Sequence, residues 1–494
     1  MRWMMTTRKT SFDLRMDMKG IDEMSYESLG MAEEPVLTRG QEEIVENDAS
    51  QLLIKGIAGS GKTLVLLKKA KRTAEKYPVE KVGIFTYANT LSRATGLLIE
   101  RYELENLNIH TFHGWAMSAY RKTFRQSFDL LEDRKGDKRL EKLKISIRRL
   151  GYLNHRFTDG EQYLEFISDE ISWIKGKGIS TVEEYLEASR KGRGTGTRVT
   201  LKDREVIFMI FEEYENQKGM KLDFDDFAIK LFRNFDKIPE ECKFDHVFID
   251  EAQDLQQIQL QLLRKCARRS LIVAADKGQK IYKTSFTWKD IGLNITGNRT
   301  KILTESHRST KQIIQLAASL QQKDSVIYDE EYVVPGIPER EGPVPHMLIS
   351  SNEKHQDARI IESIRELVKN FPLATIGVLY RHSTTGWRLE KELKKEKIAY
   401  PQIVKNKKFN PYTPGVKFCT FHSAKGLEFD IVLIADLINP TTVPEGDEES
   451  DFWDLERRLL YVCITRAKMY LQLFTHGDTC KILSELDSGL YERK

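Results

Sequence analysis

The chain has 494 residues, 40% hydrophobic and 31% charged, which suits about three soluble domains of ~150 residues and is too apolar for a disordered polymer. No run approaches the ~18 consecutive apolar residues that span a bilayer, and the Met-rich start MRWMMTTRKTSFDLRMDMKG lacks a signal-peptide core, so neither a membrane nor a secreted protein is expected. Lys and Arg total 78 against 74 Asp and Glu, a formal charge of +4 that is too mild to indicate nucleic-acid binding by itself, although a local basic groove fits within it.

Residues 1–36 show no clear period and read as an N-terminal arm. From Gln51 the pattern becomes strand, turn, helix and strand: QLLIK is β-rich, KTLVLLKKAKRTAEKY has helical spacing, and KVGIFTY is a buried-strand run. Such alternation implies parallel βαβ units. A short run, NLNIHTFHG, follows. The stretch 118–222 is rich in Lys, Arg and Glu, helical in pattern, and broken by KGRGTGT at 191–197. FDHVFID at 244–250 and SLIVAAD at 270–276 return to buried strands, and after Arg308 a second series appears at VPHMLIS, ATIGVLY, VKFCTFH, DIVLIAD and MYLQLF. The expected architecture is α/β: a first parallel-sheet core from 37–117 and 223–305, a mainly helical insertion at 118–222, and a second core at 306–494. Cys242, Cys266, Cys419, Cys463 and Cys480 are scattered without a C-x-x-C pair, so reduced thiols in a cytoplasmic protein are expected.

Gly56-Ile57-Ala58-Gly59-Ser60-Gly61-Lys62-Thr63 fits G-x-x-x-x-G-K-S/T between a strand and a helix. Glycines let backbone N–H groups curl around phosphate oxygens, and the helix N-terminus adds partial positive charge. Lys62 would reach the β- and γ-phosphates and Thr63 would ligate Mg²⁺; a chance Gly-rich turn is the bland reading. Asp250-Glu251-Ala252-Gln253-Asp254 ends the strand VFID. A carboxylate there, Asp250, can hold Mg²⁺ while its neighbour Glu251 orients the attacking water. The bland alternative is an acidic cap, with Asp254 capping the next helix. The long gap between Lys62 and Asp250 is more than one βα core needs, which places the helical stretch as an insertion.

GIAGSGKT, IDEAQD, FHSAKGLEFD and RRLLYVCITRAK, in this order, resemble the superfamily 1 helicases of the UvrD/Rep type, from about residue 37 to 475. The resemblance implies two RecA-like cores with ATP between them and single-stranded DNA across both. By position it places Gln41, in LTRGQ, at the adenine edge, where an amide both donates and accepts; a solvated helix-start glutamine is the alternative. It implies a γ-phosphate sensor role for Gln279 in DKGQKIY, and γ-phosphate contacts for Arg308 in LTESHRST and Arg466 in YVCITRAK, whose guanidinium groups would neutralise charge during phosphoryl transfer. Glu428 in KGLEFD matches the ribose-binding glutamate.

On the DNA side the resemblance implies contacts from Phe85 and Thr86 in the first core, from Thr111, Phe112 and His113 beside them, and from Thr420, His422 and Lys425 in the second. Rings offer stacking faces and polar groups offer phosphate contacts, while Phe85 and Phe112 end apolar strands and suit core packing equally. Three departures stand out. His307 replaces the usual adenine-stacking Tyr. Thr284 stands where the family has a DNA-stacking Trp, so Tyr282, Phe286 or Trp288 would take that role, Trp288 being favoured as the largest. The stretch between Arg308 and Val416 has no room for the family's second large insertion.

The basic runs Arg134–Arg149 and Arg190–Arg204 fit a solvated helix face better than a DNA track, and Asp223, Asp225 and Asp226 in LDFDDF read as helix capping rather than a metal or nuclease site. The expected activity is an ATP- and Mg²⁺-dependent 3′-to-5′ DNA translocase and helicase acting on single-stranded DNA or a 3′-tailed duplex in repair, recombination or phage defence. The alternatives are a DNA-stimulated ATPase switch or sensor with a separate nuclease partner, and an NTP-binding interaction module with little turnover.

Overall fold

A computed structural model describes the chain except for residues 1–35, 88–91, 93, 94, 97, 98, 132–136, 191–196, 198, 282–285, 397, 399–401, 404–408, 442 and 444–446. The expected N-terminal arm therefore lies almost wholly outside the described residues.

Short apolar runs build the first sheet from β1 (Gln51–Gly56), β2 (Val82–Thr86), β3 (Leu107–Thr111), β4 (Phe244–Ile249), β5 (Ala267–Ala275) and β6 (Thr300–Leu303), in spatial order β3-β2-β4-β5-β1-β6. Every pairing between these strands is parallel. Strands covered on both faces carry continuous apolar runs, and side-chain alternation divides them. Leu52, Ile54, Ile84, Phe248 and Ile272 face one layer, whereas Leu53, Phe85, Ile249 and Val273 face the other. The first layer is covered by α1 (Arg39–Glu46) and α2 (Lys62–Lys76), and the second by α3 (Phe112–Phe124) with helices that follow the insertion.

The insertion comprises α4 (Asp137–Arg149), α5 (Leu164–Lys177), α6 (Val182–Glu187) and α7 (Leu201–Lys218), around its own core of Leu143, Ile167, Ile171, Tyr185, Ile207 and Tyr214. Its neck is a bridge between Leu130 and Leu222. The boundary expected at 118 falls inside α3, whose Trp115, Ala116, Ala119 and Tyr120 all pack in the first core; the chain leaves that core near Leu130. It re-enters through α8 (Phe224–Arg233), capped by Asp223, whose side chain accepts from the Asp226 N–H. Glu215, Asp223 and Asp226 have the spacing of a metal site, but Lys175 donates to Asp223 at 2.6 Å and to Asp226 at 2.8 Å, and Lys218 lies 2.6 Å from Asp226. Two buried ammonium groups thus occupy the place a cation would take in the cluster. From there α9 (Gln257–Cys266) returns the chain to β5.

The second sheet holds β7 (His346–Ser350), β8 (Thr375–Tyr380), β9 (Gln402–Ile403), β10 (Gly415–Thr420), β11 (Phe429–Ile434), β12 (Ala467–His476) and β13 (Glu492–Arg493), ordered β13-β7-β12-β11-β8-β10-β9 and also parallel. Helices α10 (Lys311–Gln321) and α13 (Asp447–Ile464) cover one face, and α11 (Glu353–Asn370) and α12 (Ser383–Lys395) the other. Ala58 and Ile281 of the first core pack into the first of these layers, so the two cores share a hydrophobic seam beside the Gly-rich loop. Among the described residues no helix is long and apolar enough to cross a membrane.

Candidate active site between the two cores

The loop 56–63 joins β1 to α2 at the carboxyl end of the first sheet, where parallel α/β folds place their ligands. Gly59 and Gly61 have φ of +76° and +82°, and a Cβ on Gly59 would lie 2.6 Å from the Ser306 hydroxyl. Only glycine suits that combination of left-handed backbone and close approach. The His307 N–H donates to the Gly59 carbonyl at 2.9 Å, so the segment entering the second core rests directly on the loop. Lys62 folds over it, donating to the carbonyls of Gly56 (2.9 Å) and Ile57 (2.7 Å) and pairing with Asp276 at 3.2 Å. Thr63 donates its hydroxyl to Asp250 at 2.7 Å.

Asp250 and Glu251 follow β4. Burial, with Glu251 next, pushes Asp250 up to about 6. Burial opposes ionisation of Glu251 too, but Lys425, Lys62 and Arg466 outweigh it and hold that carboxyl below its ordinary value. Neighbouring carboxylates pushed in opposite directions are the pattern of a site with divided roles. A buried acid beside a hydroxyl, with too little positive charge to keep it at its ordinary pKa, fits a divalent cation. Glu251 has φ of +51°, an uncommon conformation for a side-chain-bearing residue. Gln253 holds it there, donating to Glu251 and accepting from the Asp276 N–H at 3.0 Å.

The second core closes this arrangement. Arg466, 1% exposed at the end of α13, donates to the Gln279 side chain at 2.7 Å and to the Val462 carbonyl at 2.8 Å. Burial, then Arg308, lowers its pKa to about 10, which still leaves it charged at neutral pH. Arg308 pairs with Glu428 at 2.5 Å. Against the cost of burial, Arg308 and then Lys468 bring Glu428 to about 2. Gln41 is buried, forms a capping box with Thr38, and donates to the Ser60 carbonyl at 3.0 Å, so both ends of its amide are engaged beside the loop. The His307 side chain is exposed.

The residues expected against DNA separate into two groups. Thr111 caps α3, His113 packs edge-on against Phe224 with ring centroids 5.2 Å apart, Thr420 donates to Ser423 at 2.8 Å, and His422 is exposed. The second group lies inside the structure. Phe85, Thr86 and Phe112 are buried, with Phe85 in edge contact with Trp115 and Phe244. Trp288 is 1% exposed within the first core, set 5.3 Å from Phe286, and its indole N–H is buried without a hydrogen-bond partner among the described residues. It offers no face to a passing base. Tyr282 lies outside the described residues. Lys425 is buried and donates across the cores to Asp254 (2.9 Å) and to the Gln279 carbonyl (2.5 Å).

Asp254 therefore does not cap the following helix; the N-cap position is Gln256, whose backbone N–H donates to the Gln259 side chain at 3.1 Å. Sequence reasoning missed the Lys425–Asp254 pair, and it missed Asp276 and Gln253 as the residues that hold Lys62 and Glu251. The available signal was Asp276 at the tip of the run SLIVAAD, the same strand-end position that drew attention to Asp250.

Residues 37–287 match the family model described as the UvrD/REP helicase N-terminal domain, and residues 302–411 and 404–477 match the UvrD-like helicase C-terminal domain. Similar proteins include ATP-dependent DNA helicase PcrA of Bacillus subtilis, 27% identical over 317 residues that cover 58% of this chain and 39% of that protein. ATP-dependent DNA helicase Rep of Buchnera aphidicola is 24% identical over 74% of this chain and 57% of its own length. ATP-dependent DNA helicase UvrD1 of Mycobacterium tuberculosis is 24% identical over 74% of this chain and 49% of its own length. The chain spans about half the length of these curated relatives.

Proposed function

The chain belongs to the UvrD/REP helicase family, and on that premise we propose that it is an ATP- and Mg²⁺-dependent DNA translocase and helicase of 3′-to-5′ polarity, cytoplasmic and active in repair, recombination or phage defence. The observation that carries this reading is the contact of Arg466, from the second core, with Gln279 of the first, beside the Glu251 carboxylate. Phosphoryl transfer depends on positioned groups that meet developing charge, and a site shared by two cores links that chemistry to their closure.

In this mechanism Lys62 exchanges the carbonyls of Gly56 and Ile57 for β- and γ-phosphate oxygens, which the N–H groups of Gly59, Ser60 and Gly61 and the start of α2 also receive. Thr63 and Asp250 would hold Mg²⁺, which when bound neutralises phosphate charge. Glu251, kept ionised by its cationic neighbours, orients the attacking water and receives its proton. Gln279 and Arg466 sense the γ-phosphate together, and Arg308 joins them after parting from Glu428, which takes the ribose. Gln41 and His307 flank the adenine. Single-stranded DNA crosses both cores past Thr111, His113, Thr420 and His422.

The test measures ATP hydrolysis with and without single-stranded DNA, double-stranded DNA and RNA, together with displacement of a roadblock from either end of a bound strand. Single-stranded DNA should stimulate hydrolysis and displacement should run 3′ to 5′. Glu251→Gln should bind ATP and lose about 10²–10⁴-fold in turnover. Stimulation without directional displacement would replace the motor by a DNA-sensing switch.

A further inference from the structure

Trp387 is 67% exposed, whereas the other tryptophans among the described residues (Trp115, Trp173, Trp288 and Trp453) are at most 5% exposed. A single exposed apolar residue is ordinary, so its surroundings decide what it means. Trp387 lies in the second turn of α12, which rises from the carboxyl end of β8. That end is in register with the end of β10, where Tyr380 pairs with Thr420. The ring therefore sits roughly one helical turn, ~6 Å, along the helix from the rim that carries Thr420 and His422.

The helix is held firmly beneath it. Gly386 packs against the buried Tyr380 ring with no room for a side chain. Thr385 donates to Asp436 at 2.6 Å, and Arg388 pairs with Glu353 (2.5 Å), Asp357 (2.5 Å) and Asp436 (3.1 Å). Leu389 and Leu393 face the core. With that face fixed, the 3.6-residue period places Trp387, Lys391 and Lys395 in one outward row, with Lys394 beside it. Lys391 is exposed, and the side chains of Lys394 and Lys395 are more than half exposed. Lys394 pairs with Glu390 and Lys395 with Glu392 of the same helix, the second an exposed contact weak enough for a phosphate to replace.

We propose that this face of α12 binds single-stranded DNA, with a base stacked on Trp387 and backbone phosphates along Lys391, Lys394 and Lys395. An aromatic platform with adjoining cations is the general chemistry of sequence-tolerant single-strand binding. It supplies in the second core the exposed ring that Trp288 does not offer in the first. The proposal rests on the reading of the protein as a single-strand-dependent ATPase and extends its DNA track beyond Thr420 and His422.

The experiment titrates the full chain with a fluorescent oligo(dT) strand over a range of salt, alongside DNA-free ATPase activity. Trp387→Ala should weaken binding roughly tenfold and Trp387→Phe much less, because a phenyl face still stacks. DNA-free hydrolysis should stay unchanged in both, which reports intact folding. The double variant Lys391→Ala, Lys395→Ala should reduce the slope of log affinity against log salt by about 0.7 for each phosphate left without its lysine. Wild-type affinity in Trp387→Ala, or equal loss in the Ala and Phe variants, would overturn the stacking platform. An unchanged salt slope would overturn the basic row. If the wild-type chain itself failed to bind the strand, the parent reading would fall instead.

Discussion

The nucleotide side and the strand side of the first core are built from equally legible motifs, yet their side chains are held in opposite ways. On the nucleotide side, Asp276 joins Lys62 to Gln279, Arg466 reaches Gln279 from the other core, Gln253 ties Glu251 to Asp276, and Arg308 pairs with Glu428. On the strand side, Phe85, Phe112 and Trp288 turn into the core. A buried charge must find partners, so a motif of charged residues specifies its own neighbourhood. An aromatic ring is satisfied by a hydrophobic core or by a base. Its position in a motif therefore leaves its direction open.

The sharpest way to break this comparison is at Trp288. If the ring is core, Trp288→Ala should cost about 3–5 kcal/mol in urea unfolding. Trp288→Phe should cost much less, because it also removes an indole N–H that is buried with no partner among the described residues. Full stability in Trp288→Ala, with loss confined to DNA stimulation, would return the ring to the strand side.

A smaller effect sharpens the other half. Lys425 and Asp254 bridge the cores although burial pushes Asp254 up to about 7 against the pull of Lys425. A double-mutant cycle with Lys425→Met and Asp254→Asn should show a coupling of about 0.5–3 kcal/mol in unfolding free energy. Simple additivity would mean that the two do not act as a latch.

The same contrast explains what the sequence revealed. Continuous apolar runs located β1, β2, β4 and β5 and the five inner strands of the second sheet, because strands buried on both faces carry a dense signal. Edge strands β6, β9 and β13 are short and partly exposed, and left no such mark. The loop 56–63 and the carboxylates at 250–251 were legible from residue type and strand-end position. The bridge from Lys425 to Asp254 was not, since its partners lie far apart in the chain and meet only once both cores have folded. The insertion boundary was blurred for a related reason: α3 belongs to the first core by packing but continues smoothly into the charged, helical composition beyond it.

The central claim is that the hydrolytic site is complete only when Arg466 of the second core reaches Gln279 of the first. Single-turnover ATP hydrolysis by Arg466→Ala tests it most directly, with ATP affinity measured in parallel and Arg466→Lys as the variant that keeps a buried positive charge. The expected result is a loss of about 10³-fold or more in the hydrolytic step for the Ala variant, with ATP affinity changed far less. The Lys variant should fold like the wild type yet stay markedly slow, because an ammonium cannot reproduce the planar guanidinium contacts to both Gln279 and Val462. Near-normal hydrolysis in folded Arg466→Ala protein would contradict the two-core site.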